Sequence, residues 1–291
     1  MTTLITSGWT DYQLLDSGRG RRLERFGAYV LSRPDPQCLW RPYLPVSAWE
    51  KADALFREEN GKAKWLFRHF MPDSWKMRYK QLEFSAKLTP FKHTGVFPEQ
   101  HLHWDWLEHQ LDKANSKGQR EIKVLNLFGY TGIASLVCAA KGANVTHVDA
   151  SYPAIGWAKD NQGLSNLSDK PIRWIMDDCL KFVQREIRRG IKYDGIIMDP
   201  PVFGHGPKGE RWEFTANFPQ LLTDCQQVLS EHPSFILINA YAVSASSVLL
   251  QNMLEDMTNT FGGLIESGEL VLEEKNRKRL LSTGIFARWS A

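Results

Sequence analysis

Two short stretches hold residue types that could do chemistry. One is Val124-Leu125-Asn126-Leu127-Phe128-Gly129-Tyr130-Thr131-Gly132, the other Ile196-Ile197-Met198-Asp199-Pro200-Pro201-Val202-Phe203. Each is an apolar run ending in a tight polar turn. In the first, glycine has no Cβ to keep a ligand from approaching the backbone closely. A helix opening near Gly132 then aims free N–H groups at an anion. Asp149 ends a further apolar run, 20 positions after Gly129, and a carboxylate there can accept hydrogen bonds from both hydroxyls of a ribose. Asp177 and Asp178 end another such run, where one of them can accept from the amino group of a base. In the second stretch the prolines fix the backbone and leave their carbonyls free to accept.

The same residues admit other readings. Dinucleotide enzymes place an acid at this distance but carry G-x-G-x-x-G, and this chain has only G-x-x-G. A triphosphate-binding loop would need Gly-Lys-Ser/Thr, which the turn lacks. Gly129 and Gly132 taken alone could simply close a tight turn. A metal site is not expected: His93, His101, His103 and His109 have no cysteine or acid cluster beside them, and positions 101 and 103 point different ways on a helix. Cys38, Cys138, Cys179 and Cys225 are far apart with no C-x-x-C pair, which reads as reduced thiols in a cytoplasmic protein and gives no zinc site.

The elements that must position these residues follow from the pattern of apolar runs and breakers. Residues 120–291 alternate short apolar runs with amphipathic stretches, the signature of βαβ units and a mostly parallel sheet. Strands are expected at 123–128, 144–149, 172–177, 193–199 and 235–241, with helices at 133–141, 152–164, 180–189, 214–229 and 245–259. Two extended segments, 269–274 and 280–289, close the chain around the basic turn 275–279. The expectation is therefore an α/β protein with a seven-stranded, mostly parallel sheet whose last strand is antiparallel. Trp104, Leu107, Leu111 and Ala114 recur at helical spacing after Pro98 and predict a bridging helix packed on the sheet. Residues 1–90, rich in Trp, Arg and Pro, read as a small, mainly β, N-terminal cap for substrate recognition, leaving 91–291 as the catalytic domain.

Taken as an ordered set, Asn126-Leu127-Phe128-Gly129-Tyr130-Thr131-Gly132, Asp149, Asp177-Asp178, Asp199-Pro200-Pro201-Val202-Phe203 and His93-Thr94-Gly95 resemble the bacterial large-subunit ribosomal RNA methyltransferases of the RlmI/RlmK type. The likeness spans residues 88–243. It implies a Rossmann-like class I methyltransferase, S-adenosyl-L-methionine as the methyl donor and an RNA base as acceptor. It also implies site residues: Thr94, Asn126, Phe128, Gly129, Tyr130, Thr131, Gly132, Asp149, Ala150, Asp177 and Asp178 for the cofactor, with Asp199, Pro200 and Phe203 for the acceptor. In amino methyltransferases with such a loop, an acid or amide side chain and a proline carbonyl accept hydrogen bonds from the target nitrogen, and an aromatic residue after the prolines stacks on the base. Here Val202 holds that place and Phe203 comes next, to stack or to be buried. The RNA-binding appendage of the cytosine-methylating members has no match in residues 1–90.

Methylation at a pyrimidine C5 needs a cysteine nucleophile, and none follows Pro201 or lies in 238–242. A ring nitrogen or exocyclic amine, which needs mainly positioning, is the better expectation. Residues 1–90 hold 15 Lys and Arg against 10 Asp and Glu, within a net charge of +3; basic charge gathered at one end hints at a polyanionic partner. Residues 62–80 interleave Lys62, Lys64, Arg68, Lys76, Arg78 and Lys80 with Trp65, Phe67, Phe70, Trp75 and Tyr79. We expect the aromatic residues to face inward from amphipathic strands and the charges to face RNA. No apolar run is long enough to span a bilayer, and Met1 to Leu15 lacks the features of a secretory signal; the expected location is the cytoplasm. A protein or small-molecule acceptor, or an RNA-binding protein that no longer turns over, are the alternative functions. The oligomeric state is not legible.

Overall fold

The computed structural model describes every residue except Asn60, Gly61, Lys117, Gln119 and Arg120. The chain folds into two compact units, not divided at residue 90: one is Ile5–His101 with Leu270–Thr283, the other Met1–Leu4 with Leu102–Glu269 and Gly284–Ala291.

The N-terminal unit is β-rich, as expected. After β1 (Thr2–Thr6), strands β2 (Tyr12–Gly18), β3 (Arg21–Phe26), β4 (Tyr29–Pro34), β5 (Ala54–Glu59) and β6 (Lys62–Phe67) make one sheet in chain order, with the short helix α1 (Val46–Trp49) before β5. β7 (Trp75–Tyr79) pairs antiparallel with β8 (Leu82–Ala86). Period-2 alternation sets the faces: Trp75, Met77 and Tyr79 are buried while Lys76 and Arg78 are exposed. The expected inward packing therefore holds for Trp75 and Tyr79. It fails for Phe67 and Phe70, which are 57% and 91% exposed: Phe67 is the last residue of β6, and Phe70 lies beyond its end. The unit's core contains a charged cluster: Glu24 is fully buried and accepts from Arg33 Nε and Nη2 and from the Tyr12 hydroxyl, each at 2.8 Å.

The second unit opens with α2 (His101–Ser116), preceded by a 3-10 turn at Pro98–Gln100. Trp104, Leu107 and Leu111 are buried at the predicted spacing, and Trp106 sets its ring edge-on to Phe235 of the sheet. Then come β9 (Lys123–Leu127), α3 (Ile133–Ala140), β10 (Asn144–Asp149), α4 (Tyr152–Leu164), β11 (Ile172–Met176), α5 (Cys179–Arg188), β12 (Gly195–Met198), β13 (Phe203–His205), β14 (Arg211–Glu213), α6 (Phe214–Gln227), β15 (Phe235–Ala240), α7 (Ser247–Thr258), β16 (Leu264–Glu273) and β17 (Leu280–Ser290). The large sheet runs β11-β10-β9-β12-β15-β17-β16-β1. Its first five strands are parallel and β17 is antiparallel to β15. It has eight strands where seven were expected. The extra one is β1, from the segment read as part of the cap; it fits beside β16 because Gly268 presents no Cβ to the Thr2 backbone.

Strand parity puts the helices on opposite faces. Leu125, Leu127, Ile196, Met198, Ile236 and Ile238 share a core with Phe182 of α5, Phe218 of α6 and Leu254 of α7. The intervening Asn126 points the other way, to Ser135 of α3. Residues leaving the carboxyl ends of β9, β10, β11 and β12 therefore gather along one edge, where open α/β sheets bind ligands.

Candidate active site

The turn after β9 is built on unusual backbone conformations. Phe128 and Tyr130 have φ of 56° and 50°, and Gly132 has φ of 82°. A Cβ at Gly132 would also lie 2.9 Å from the Ala158 Cβ. Gly129 has a different reason: a Cβ there would lie 2.5 Å from Nδ1 and 3.0 Å from Nε2 of His147. Gly132, the N-cap of α3, makes no side-chain cap, so the first-turn N–H groups directed at the edge are not taken by the capping residue.

Asp149 ends β10 beside this turn. One oxygen accepts the Tyr130 N–H and the other the Ser151 N–H, both at 2.8 Å. Burial raises its pKa, and these two amides oppose the rise. Ala150 follows, half-buried. Asp177, after β11, bonds to Arg185 and accepts the Asp178 N–H. Asp178 caps α5 by accepting the Lys181 N–H at 2.9 Å. The N–H of Asp199 donates to Leu127 O at 3.3 Å, which fastens the second loop to the end of β9. Thus Phe128–Gly132, Asp149–Ala150, Asp177–Asp178 and Asp199–Pro200 all lie at one sheet edge.

Beyond Asp199 the structure separates the two prolines. The Pro201 carbonyl accepts the Trp212 indole N–H at 2.7 Å. The Pro200 carbonyl receives no donor among the described residues. Trp212 also packs on Phe128, ring centroids 4.8 Å apart, so one buried side chain braces both loops. Phe203 is 64% exposed, which decides between stacking surface and core in favour of the open surface.

Three expected cofactor residues have buried side chains. Asn126 is 2% exposed and donates to Ser135 Oγ at 2.9 Å, and that hydroxyl meets His147 Nδ1 at 3.0 Å. The chain of three is a buried support beneath the glycine turn. Thr94 belongs to the N-terminal unit, fully buried, and its hydroxyl donates to Val96 O at 3.4 Å. Thr131 is 3% exposed, its carbonyl held by Asn161 Nδ2 at 3.0 Å. Sequence reasoning missed Trp212 and His147. The tight fit under Gly129 gave no sequence signal, and Trp212 sits beyond a Gly/Pro-rich stretch that read as loop.

All four cysteines are buried and unpaired. Cys179 lies in the core with its thiol pKa pushed up by burial. Among the described residues no cluster of three His, Cys, Asp or Glu could hold a metal ion, and no helix is long and apolar enough to cross a membrane.

A doubly wound sheet with a glycine turn and carboxylates along one edge defines a Rossmann-like nucleotide-cofactor enzyme. Comparison with known proteins gives its family. The chain belongs to the S-adenosylmethionine-dependent methyltransferases, whose family profile matches residues 53–257. It is 44% identical to an S-adenosylmethionine-dependent methyltransferase from Agrobacterium tumefaciens of known crystal structure, with a TM-score of 0.94 over 100% of this chain and 93% of that one. A ribosomal RNA large subunit methyltransferase K/L from Shewanella baltica is 34% identical over 206 residues, 67% of this chain and 27% of the relative. The Shewanella oneidensis protein of that name is 39% identical over 133 residues, 44% of this chain and 17% of its own length. The match thus spans under a third of these curated relatives. SMU.776, solved in complex with SAH, shares the fold at 17% identity and a TM-score of 0.74, over 97% of this chain and 76% of that one.

The donor set at the edge fits S-adenosylmethionine. An uncapped helix start suits the methionine carboxylate, and a carboxylate held open by two backbone amides suits a ribose diol.

Proposed function

We propose that this enzyme methylates a nitrogen of an RNA base. The observation that carries the reading is the Pro200 carbonyl, which follows Asp199 at the sheet edge and receives no donor among the described residues. That carbonyl, together with the neighbouring Asp199, would take hydrogen bonds from the N–H groups of a base and turn the nitrogen lone pair toward the donor. The cofactor, when bound, supplies a methyl group activated on a sulfonium. The turn 128–132 and the start of α3 would hold its carboxylate, Asp149 and Ala150 its ribose, and Asp177 and Asp178 its adenine. Asn126 acts from below by fixing the turn. Cys179 and Cys225, both buried, are in no position to attack a ring carbon.

Ribosomal RNA is the acceptor we favour, on the strength of relatives named for it. The N-terminal unit supports RNA through exposed Phe67 and Phe70 next to exposed Lys64 and Arg68, a surface able to stack bases and meet phosphates. We place the reaction in the cytoplasm.

The test is transfer of label from methyl-labelled S-adenosylmethionine into extract of cells lacking the enzyme, followed by fractionation. RNase-sensitive label, lost in Asp199→Ala while that variant still binds the cofactor, is expected. Label confined to protein or small molecules would overturn the RNA reading and leave the methyltransferase.

A further inference from the structure

The catalytic loop runs directly into a hairpin, β13 and β14, whose two faces differ. Its register pairs Phe203 with Glu213, Gly204 with Trp212 and His205 with Arg211. Residues directly opposite in an antiparallel pair share a face, and the next pair takes the other. Gly204 and Trp212 therefore form the inner face, where Trp212 is 4% exposed against Phe128 and bonded to Pro201 O. Phe203, His205, Arg211 and Glu213 form the outer face. Phe203 is mostly exposed there, and both His205 and Arg211 are exposed.

The hairpin is held in shape. The Gly206 N–H donates to Glu210 O at 2.8 Å, and the Gly209 N–H to Gly206 O at 3.1 Å. Of the acids nearby, Glu210 is ion-paired. Glu210 accepts from the Lys208 N–H at 2.8 Å and from Lys181 Nζ at 2.7 Å, and the Lys181 hydrogen bond holds its pKa down to about 2. Glu213 is half-buried at the start of α6 and receives the Thr215 hydroxyl at 3.4 Å. Arg211 and Lys208 have no carboxylate partner among the described residues. The outer face thus holds an open aromatic ring opposite the half-buried Glu213, with Arg211 and Lys208 towards the hairpin turn, on the strand that follows Asp199-Pro200-Pro201.

We propose that this outer face is a clamp for single-stranded RNA beside the target base. Phe203 stacks on a base, and Arg211, with His205 and Lys208, meets the phosphates of the flanking nucleotides. Trp212 is the positioning residue that ties the clamp to the donor turn. A single strand is specified because a ring can stack only on a base whose face is open. The proposal rests on the RNA reading above and names how the acceptor is gripped.

The test uses the full chain and a fluorescein-labelled 12-nucleotide RNA of mixed sequence, single-stranded or annealed to its complement, with affinity measured against salt. Phe203→Ala should weaken single-strand binding by about 5- to 150-fold, the range of one lost base–aromatic stack. Arg211→Gln should lower the slope of log affinity on log salt by about 0.7, one phosphate contact to a single strand. Both variants should bind S-adenosylmethionine like the parent, which shows that they fold. The duplex should bind the parent more weakly than the single strand. If parent binding to RNA is strong and neither variant changes it, the clamp is wrong and the RNA reading stands. If the duplex binds as well as the single strand, stacking by Phe203 is overturned. If the parent neither binds nor labels RNA but labels protein, the RNA reading falls and takes the clamp with it.

Discussion

The substitution Gly129→Ala tests the architecture of the cofactor turn at one atom. The backbone there is not left-handed, so alanine meets no conformational penalty and only space decides. The new Cβ would lie 2.5 Å from Nδ1 of His147 and 3.0 Å from Nε2, against an ordinary carbon contact of about 3.5–4.0 Å. Something must move by about 1 Å. The imidazole cannot do so cheaply: it is fully buried, bonded through Nδ1 to Ser135 at 3.0 Å, and set edge-on to Trp174 with centroids 4.7 Å apart. The turn itself must give, at about 1–3 kcal/mol for overpacking of this kind. At about 2–4 °C per kcal/mol for a chain of this size, the melting temperature should fall by about 2–12 °C. If the displaced turn no longer offers its amides, S-adenosylmethionine affinity by calorimetry should fall by about 10-fold for each 1.4 kcal/mol lost. The decisive measurement is the cycle with His147→Ala. That single change opens a cavity and leaves Ser135 with Asn126 but without its imidazole partner, yet it should make room for the methyl group added at position 129. The double variant should therefore recover about 1–3 kcal/mol relative to the sum of the singles. Additivity within about 0.5 kcal/mol would refute the account, because the cost of Gly129→Ala would then have nothing to do with His147.

Three further outcomes are expected. Burial lowers the His147 pKa from 6.5 to about 3, so between those values the unfolded chain binds a proton that the folded one refuses. Stability from this group is present above pH 6.5 and lost as the pH falls, by about 2 kcal/mol from pH 7 to pH 5; urea unfolding of His147→Asn should show a pH dependence weaker by that amount, and an unchanged dependence would contradict the burial. Asp149→Ala removes the acceptor of the Tyr130 and Ser151 amides and the proposed ribose ligand together, so cofactor affinity should drop at least 10-fold, about 1.4 kcal/mol, in a direct titration. In the N-terminal unit, Glu24→Gln would leave Arg33 buried without its counter-charge and Arg22 with Asp35 at 3.8 Å in place of the closer pair. A loss of about 3–5 kcal/mol in chemical denaturation is expected, and a loss under about 1 kcal/mol would mean that water reaches the cluster.

Much of the catalytic unit was legible because the signals are local. Tyr152–Leu164 and Asn144–Asp149 have the predicted limits, since Pro153 and Gly142 punctuate the chain beside them. The acids fall at the carboxyl edge because each closes an apolar run, and parallel strands end together. The edge itself therefore followed from sequence, as did the family to which the chain belongs. What the sequence left open depends on residues far apart in the chain. Pairing of β1 with β16 joins segments from the two ends of the chain and has no local signature. The hairpin 203–213 is hidden by Gly204, Gly206, Pro207 and Gly209, which read as loop until Trp212 packs on Phe128. Asn126 sits in a motif that suggests a ligand contact, yet strand parity turns it toward Ser135 and away from the edge. Phe67 alternates with Trp65 like a core residue and is exposed where its strand ends. Local pattern determines which segments are strands, helices and turns; which face of each becomes core, support or open surface is decided only when distant elements pack.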